Sequence, residues 1–218
     1  MAFFISCISL ERVRPIYIIG IAGKMASGKS TVCSYLKEFI GEIAVLDVDS
    51  LAKEIYGENP ALVQRLKECF GECVLSPDGL VDHNSLGRIV FSSKDDLEKL
   101  NKIMADEILK KIKEFLKKNM ELKCVIIDAA ILFNNDIYKL CDLIIWVTAD
   151  KRKRLELLKN KTGMPESEAI LRIEGQHIKY IKKSVDFTIR NDGLEVSLRK
   201  KVFELAEKIK PYIYAFKY

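Results

Sequence analysis

Gly23-Lys-Met-Ala-Ser-Gly-Lys-Ser30 satisfies G-x-x-x-x-G-K-[ST], and no other stretch of the chain restricts its fold as tightly. Such a loop works only between a buried strand and a helix. An apolar, β-branched run from Ile16 to Ile21 precedes it, and Val32, Leu36, Phe39 and Ile40 follow at helical spacing. The pattern predicts strand, loop and helix in succession. A loop wrapped round a phosphate must turn its backbone N–H groups inward, which forces positive φ or close approach at some residues, hence Gly23 and Gly28. The helix that follows points its positive end at the same anion, Lys29 adds a point charge for the outer phosphates, and the Ser30 hydroxyl is placed to ligate Mg²⁺. The candidate contacts of a nucleoside triphosphate such as ATP are therefore Gly23, Lys24, Met25, Ala26, Ser27, Gly28, Lys29, Ser30 and Thr31.

Length then limits what can surround the loop. With 218 residues, 49% of them hydrophobic, the chain can bury one sizeable core, which fits a single α/β domain with insertions. A formal net charge of +5 suits attraction to polyphosphates, but no continuous basic face or reading motif points to a nucleic-acid partner. Cys7, Cys33, Cys69, Cys73, Cys124 and Cys141 form no C-x-x-C pair, and two histidines offer no zinc spacing. They are expected to be buried free thiols in a reducing cytoplasm. The apolar start, Met1 to Leu10, lacks a preceding basic region and is too short to span a bilayer, so residues 1–14 read as an extension ahead of the first strand and no membrane is expected.

Beyond the first helix, Ile43 to Leu46 reads as a second buried strand, followed by Asp47 and Asp49. In an open parallel sheet ligands bind outside the carboxyl ends of the strands, so this pair is expected at the same crevice as the phosphate loop. The alternative for either is a helix N-cap, because Ser50, Leu51, Ala52, Ile55 and Tyr56 begin a helical pattern. Residues 59–120 are mostly helical in pattern, and some sixty residues between two parallel strands exceed an ordinary crossover. An inserted helical substrate subdomain is the expected reading. The basic run Lys110 to Lys118 is taken as the solvated face of an amphipathic helix.

Cys124 to Asp128 is a third buried strand ending in a carboxylate, a place next to the metal in many phosphate-loop enzymes. Leu143 to Val147 is a fourth. A basic helix from Lys151 to Lys161, a turn at Thr162-Gly-Met-Pro165 and a helix from Glu166 to about Lys182, carrying Arg172 and Gln176, suit a lid over phosphates. Phe187 to Arg190 is a short fifth strand, and Leu194 to Ala206 a closing helix. The chain thus divides into a core (15–58, 121–148 and 186–218), a helical substrate subdomain (59–120) and a lid (149–185).

An ordered set of segments resembles the dephospho-coenzyme A kinase family over nearly the whole chain after Arg14. They are Gly20-Ile-Ala-Gly-Lys-Met-Ala-Ser-Gly-Lys-Ser-Thr31, Leu46-Asp-Val-Asp-Ser-Leu-Ala52, Asp78-Gly-Leu-Val-Asp82 with Ile89-Val-Phe91, Asp128-Ala-Ala-Ile-Leu-Phe133, Arg172-Ile-Glu-Gly-Gln176 and Asp186-Phe-Thr-Ile-Arg-Asn191. The resemblance implies a three-layer P-loop NTPase fold with a five-stranded parallel sheet, a helical insertion for the coenzyme and a mobile lid. It implies transfer of the ATP γ-phosphate to the ribose 3′-hydroxyl of dephospho-coenzyme A. By it, Asp49 corresponds to the carboxylate that activates the acceptor hydroxyl, Asn191 to a residue of the loop receiving adenine, and Arg172 to the lid.

The chain also departs from the family pattern. Lys24 and Ala26 stand where glycine is usual, Ala105-Asp106 where a His-Pro pair is, His83 for an arginine, and Ala130 and Asn134 for a proline and a glutamate. Arginines usual in the first lid helix fall near Leu157 and Lys161, leaving Arg152, Arg154 and Lys161 as the cations at hand.

Phosphoryl transfer needs positioning and charge neutralisation more than covalent chemistry. The expected division has Lys29 bridging toward the γ-phosphate, Asp49 taking the proton of the hydroxyl, Arg172 stabilising charge, and Ser30, Asp128 and Asp47 serving the metal, the carboxylates through bound water. A nucleoside monophosphate kinase and a nucleotide-gated binding module are the rival readings. The first would need arginines between Asn59 and Met120, where only Arg65 and Arg88 occur. A monomer or weak homo-oligomer is expected.

Overall fold

The computed structural model describes residues 16–133, 136–176 and 178–215. The expected extension at 1–14, Cys7 and Asn134 lie outside them. Five strands, β1 (Tyr17–Gly23), β2 (Ile43–Asp47), β3 (Cys124–Asp128), β4 (Leu143–Ala149) and β5 (Phe187–Asn191), pair in parallel in the order β2-β3-β1-β4-β5. The sheet has the expected five parallel strands. Strands buried on both faces read as unbroken apolar runs, and the pleat sorts their side chains by alternation.

Tyr17, Ile19 and Ile21 of β1, with Cys124 and Ile126 of β3, enter one core with helix α1 (Lys29–Ile40) and the closing helix α8 (Glu195–Ala215). Ile18, Ala22, Val125 and Ile127 point the other way, into a core shared with α2 (Val48–Glu58), α3 (Pro60–Phe70), α4 (His83–Ser92) and α5 (Lys94–Lys118). Three layers result, with the sheet in the middle.

Local chemistry sets the element ends. The Asn59 side chain caps α3 and Pro60 takes its first position, where a missing N–H costs nothing. Asp82 caps α4 by accepting from Asn84 N and Ser85 N. In α5, Ser93 caps, Asp95 and Asp96 fill the first turn, Lys117 and Lys118 the last, and Ile108 and Ile112 lie buried on the inner face. Two further helices, α6 (Lys151–Thr162) and α7 (Glu166–Gly175), stand between β4 and β5.

Two helix ends differ from the sequence expectation. Helix α7 stops at Gly175, not near Lys182, because its end is pressed on α4: a Cβ at Gly175 would lie 2.0 Å from Phe91 O. Helix α8 continues past Ala206 through Pro211 to Ala215, since Ile209 and Ile213 extend the buried face of Leu198, Val202 and Leu205. The thiols also divide: Cys33 and Cys124 are buried, but Cys69 and Cys73, at the exposed end of α3 and the turn after it, are not.

Candidate active site

Strand β1 delivers the loop from the centre of the sheet. At Gly23 a side chain is impossible, because a Cβ would meet Val147 O of the neighbouring strand at 2.2 Å. Gly28 adopts φ 94° as the residue before α1, and a Cβ there would strike Asn191 Nδ2 at 2.4 Å. No side chain caps α1 and no acid occupies its first turn, so its N–H groups are left to an anion. Ala26 holds φ 57° without being glycine, a conformation that costs about 1 kcal/mol in an L-residue. Lys29 is 8% exposed, and its buried charge sits in the field of the Asp128 carboxylate, with no hydrogen bond or ion pair to it among the described residues.

Asn191, the last residue of β5, is spent on the loop itself. Its Nδ2 donates to Ser27 O at 3.0 Å and its Oδ1 accepts from Gly193 N at 2.9 Å. It therefore ties the end of β5 to the phosphate loop and helps fix the loop's shape.

The carboxylates occupy distinct stations. Asp47 and Asp128 are register partners at the carboxyl ends of β2 and β3. Asp47 is the N-cap of α2: Oδ1 accepts from Ser50 N at 3.0 Å and Oδ2 from Ser50 Oγ at 2.8 Å. The capping alternative holds for this residue, which reaches the site as a nearby charge. Asp49 sits one step inside α2, not at a strand tip. Asp128 is buried, its Oδ2 accepting from Ser30 Oγ at 3.1 Å and its Oδ1 lacking any hydrogen-bond partner.

An orphaned carboxylate oxygen beside a hydroxyl is a donor set that Mg²⁺ completes with water and phosphate oxygens, since this ion takes one or two protein carboxylates and not a full cage. Consistently, no group of three or more His, Cys, Asp or Glu among the described residues could hold a metal unaided. The residues fit an ion carried in with the nucleotide.

Burial pushes the Asp128 carboxyl up to about 6; Lys29 opposes this, while Asp49 and Asp47 add to it. Three acids therefore share one field. A carboxyl with a higher pKa folded than unfolded holds its proton more tightly when folded, so stability is greatest below the unfolded value and falls as pH rises from about 4 through about 6. In metal-free buffer, wild type is expected to lose on the order of 3 kcal/mol relative to Asp128→Asn across that window. Urea unfolding at pH 4, 5, 6 and 7 measures it, and parallel pH curves for the two proteins would refute it.

Asp49 and the loop residue Met25 line one cavity of about 380 Å³, together with Tyr56, His83, Arg172 and Gln176. Polyphosphate loop, carboxylate and lid meet there. Arg172 Nη2 pairs with Glu168 Oε1 at 2.9 Å and lies over Gly87 of α4.

Two contacts went unseen in the sequence. Arg154 of α6 is 5% exposed, donates from Nη1 to Met25 O at 3.3 Å, and has no carboxylate partner among the described residues. Gln176 Oε1 accepts from Met25 N at 2.6 Å. The signal for Arg154 was its i, i+4 spacing to Leu158, the other buried residue of α6, in a helix otherwise read as uniformly basic.

Residues 17–196 match the family described as CoaE: Dephospho-CoA kinase. A dephospho-CoA kinase of Fusobacterium nucleatum is 35% identical over 196 residues, covering 89% of this chain and 99% of its own length. One from Carboxydothermus hydrogenoformans is 32% identical, covering 88% and 94%. Among solved structures, TT1252 from Thermus thermophilus superposes with a TM-score of 0.68 at 26% identity, over 88% of this chain and 97% of that one. The dephospho-CoA kinase of Campylobacter jejuni shares the fold at a TM-score of 0.58 and 21% identity, over 89% and 98%.

Proposed function

The chain belongs to the dephospho-CoA kinase family and phosphorylates the ribose 3′-hydroxyl of dephospho-CoA with ATP, and from this we propose how its own residues share the work. The observation that carries the proposal is the common cavity of Asp49 and Met25, so that a carboxylate and the phosphate loop border one space.

The amides from Lys24 to Ser30 and the free end of α1 hold the phosphates, and Lys29 extends a charge toward the transferred group. Ser30 and Asp128 would hold Mg²⁺, with Asp47 adding field at a distance. The ion, when bound, neutralises phosphate charge and orients the oxygens. Asp49 accepts the proton of the acceptor hydroxyl, and Arg172 faces the acceptor from the lid. Arg154, a buried lid cation bonded to the loop at Met25, takes the place of the lid arginine that Leu157 does not supply, neutralising charge as the phosphoryl group moves. Closure of α6 and α7 excludes water and keeps hydrolysis from competing. We place the reaction in the cytoplasm, where the thiols stay reduced.

ADP release is measured with dephospho-CoA, AMP, CMP or no acceptor. Turnover with dephospho-CoA alone is expected. Equal turnover with AMP would assign the cavity to a nucleoside monophosphate, and equal release with no acceptor would make the protein an ATPase.

A further inference from the structure

The tip of the phosphate loop belongs as much to the lid as to the loop. Met25 and Ala26 pack against the small apolar cluster of Leu158, Ala169 and Ile173, with Leu155 and Met164 beside them. This cluster is distinct from the two cores that flank the sheet. The same Met25 is held on both sides of its backbone: Arg154 of α6 donates to its carbonyl at 3.3 Å, and Gln176, just past α7, accepts from its N–H at 2.6 Å.

That second bond has a consequence for binding. A phosphate loop grips its anion with backbone N–H groups, and if the Met25 N–H is among them, as the proposed reading has it, a side-chain carbonyl holds it here. A partly buried donor is costly to leave unpaired, and Gln176 pairs it in the absence of an anion. Phosphate and carboxamide cannot both take the same hydrogen.

We propose that Gln176 is a positioning residue that holds the Met25 amide until a nucleotide phosphate displaces it, so that filling the loop and freeing the Gln176 side chain, just past α7, are one event. The proposal rests on the reading of the loop as the ATP site. Gln176 borders the cavity that holds Asp49, so the freed carboxamide is turned loose beside the acceptor. The lid thereby senses whether the loop is loaded through an exchange of one hydrogen-bond acceptor for another.

Titration calorimetry with a non-hydrolysable ATP analogue and Mg²⁺ tests the exchange on wild type, Gln176→Ala and Gln176→Glu. Removing the competitor is expected to tighten the analogue about 3- to 10-fold, the net worth of one hydrogen bond. Gln176→Glu retains an acceptor and adds a charge that grips the amide harder and repels phosphate, so it is expected to weaken binding by about tenfold or more. A residue serving structure alone gives the opposite for alanine: a slackened loop that binds as wild type or less tightly. That result would overturn the proposal. Gln176→Leu, similar in size but without an acceptor, repeats the alanine test should alanine fail to fold. If wild type itself does not bind the analogue, the ATP site falls and the exchange with it, whereas normal wild-type binding with the wrong order of variants removes the exchange alone.

Discussion

Asp49→Asn is expected to lower kcat for phosphate transfer by about 10²- to 10⁴-fold, the range lost with a positioned general base, while the Kd for ATP changes by less than about twofold. The asymmetry follows from place. Asp49 borders the cavity from the first turn of α2, and it is not one of the loop residues, so the amide replacement removes a charge near the phosphate cradle but none of the cradle's own groups. Asparagine also keeps the shape of the side chain and its capacity to accept a hydrogen bond, so only proton acceptance and negative charge are lost. Single-turnover transfer with both substrates saturating reads the chemical step. Retention of activity within about tenfold would show that Asp49 does not take the proton, because that loss is smaller than a general base accounts for.

Arg154→Met is expected to reduce kcat by about 10²- to 10³-fold, the loss typical of one preorganised charge at the transition state, without reducing thermal stability. The pairing of those two outcomes is what gives the test its force. Burial pulls the Arg154 guanidinium below its ordinary pKa, the mark of a cation taken from water without compensation. Methionine fills similar space beside Leu158 and Met25 and removes that cost, so the melting temperature should hold or rise. An arginine serving structure would behave in reverse, with a lower melting temperature and nearly unchanged turnover. Differential scanning calorimetry and steady-state ADP release on one preparation decide between them.

These two residues also mark how far the sequence could be read. Asp49 was visible because an apolar run ending in acids has a fixed meaning at the edge of a parallel sheet. Its separation from Asp47 was not, since capping and catalysis both ask for a carboxylate there and only the Ser50 contacts divide them. The sheet was visible for a simpler reason: the central strands β1, β3 and β4 are nearly continuous apolar runs, while the edge strand β5 alternates buried Ile189 with exposed Thr188 and Arg190, and all five are short and bounded. Arg154 was hidden because α6 carries cations on every side, and which one turns inward depends on where the loop comes to rest. Gln176 was marked by its neighbours but not by its bond, which joins residues 151 positions apart. Pattern within an element is local; contact between loop and lid is not.

Strand β1 runs down the middle of the sheet, and the loop leaves from it, whereas β2 and β5 form the outer margins. The fold thus ranks its duties by depth. Grasping a polyphosphate, a task shared by any ATP user, is anchored where a change would disturb everything. The helices between β2 and β3, by contrast, enter the chain beside the marginal strand β2, away from the strand that carries the loop. A scaffold arranged in this way can acquire a new acceptor without relearning how to hold its donor.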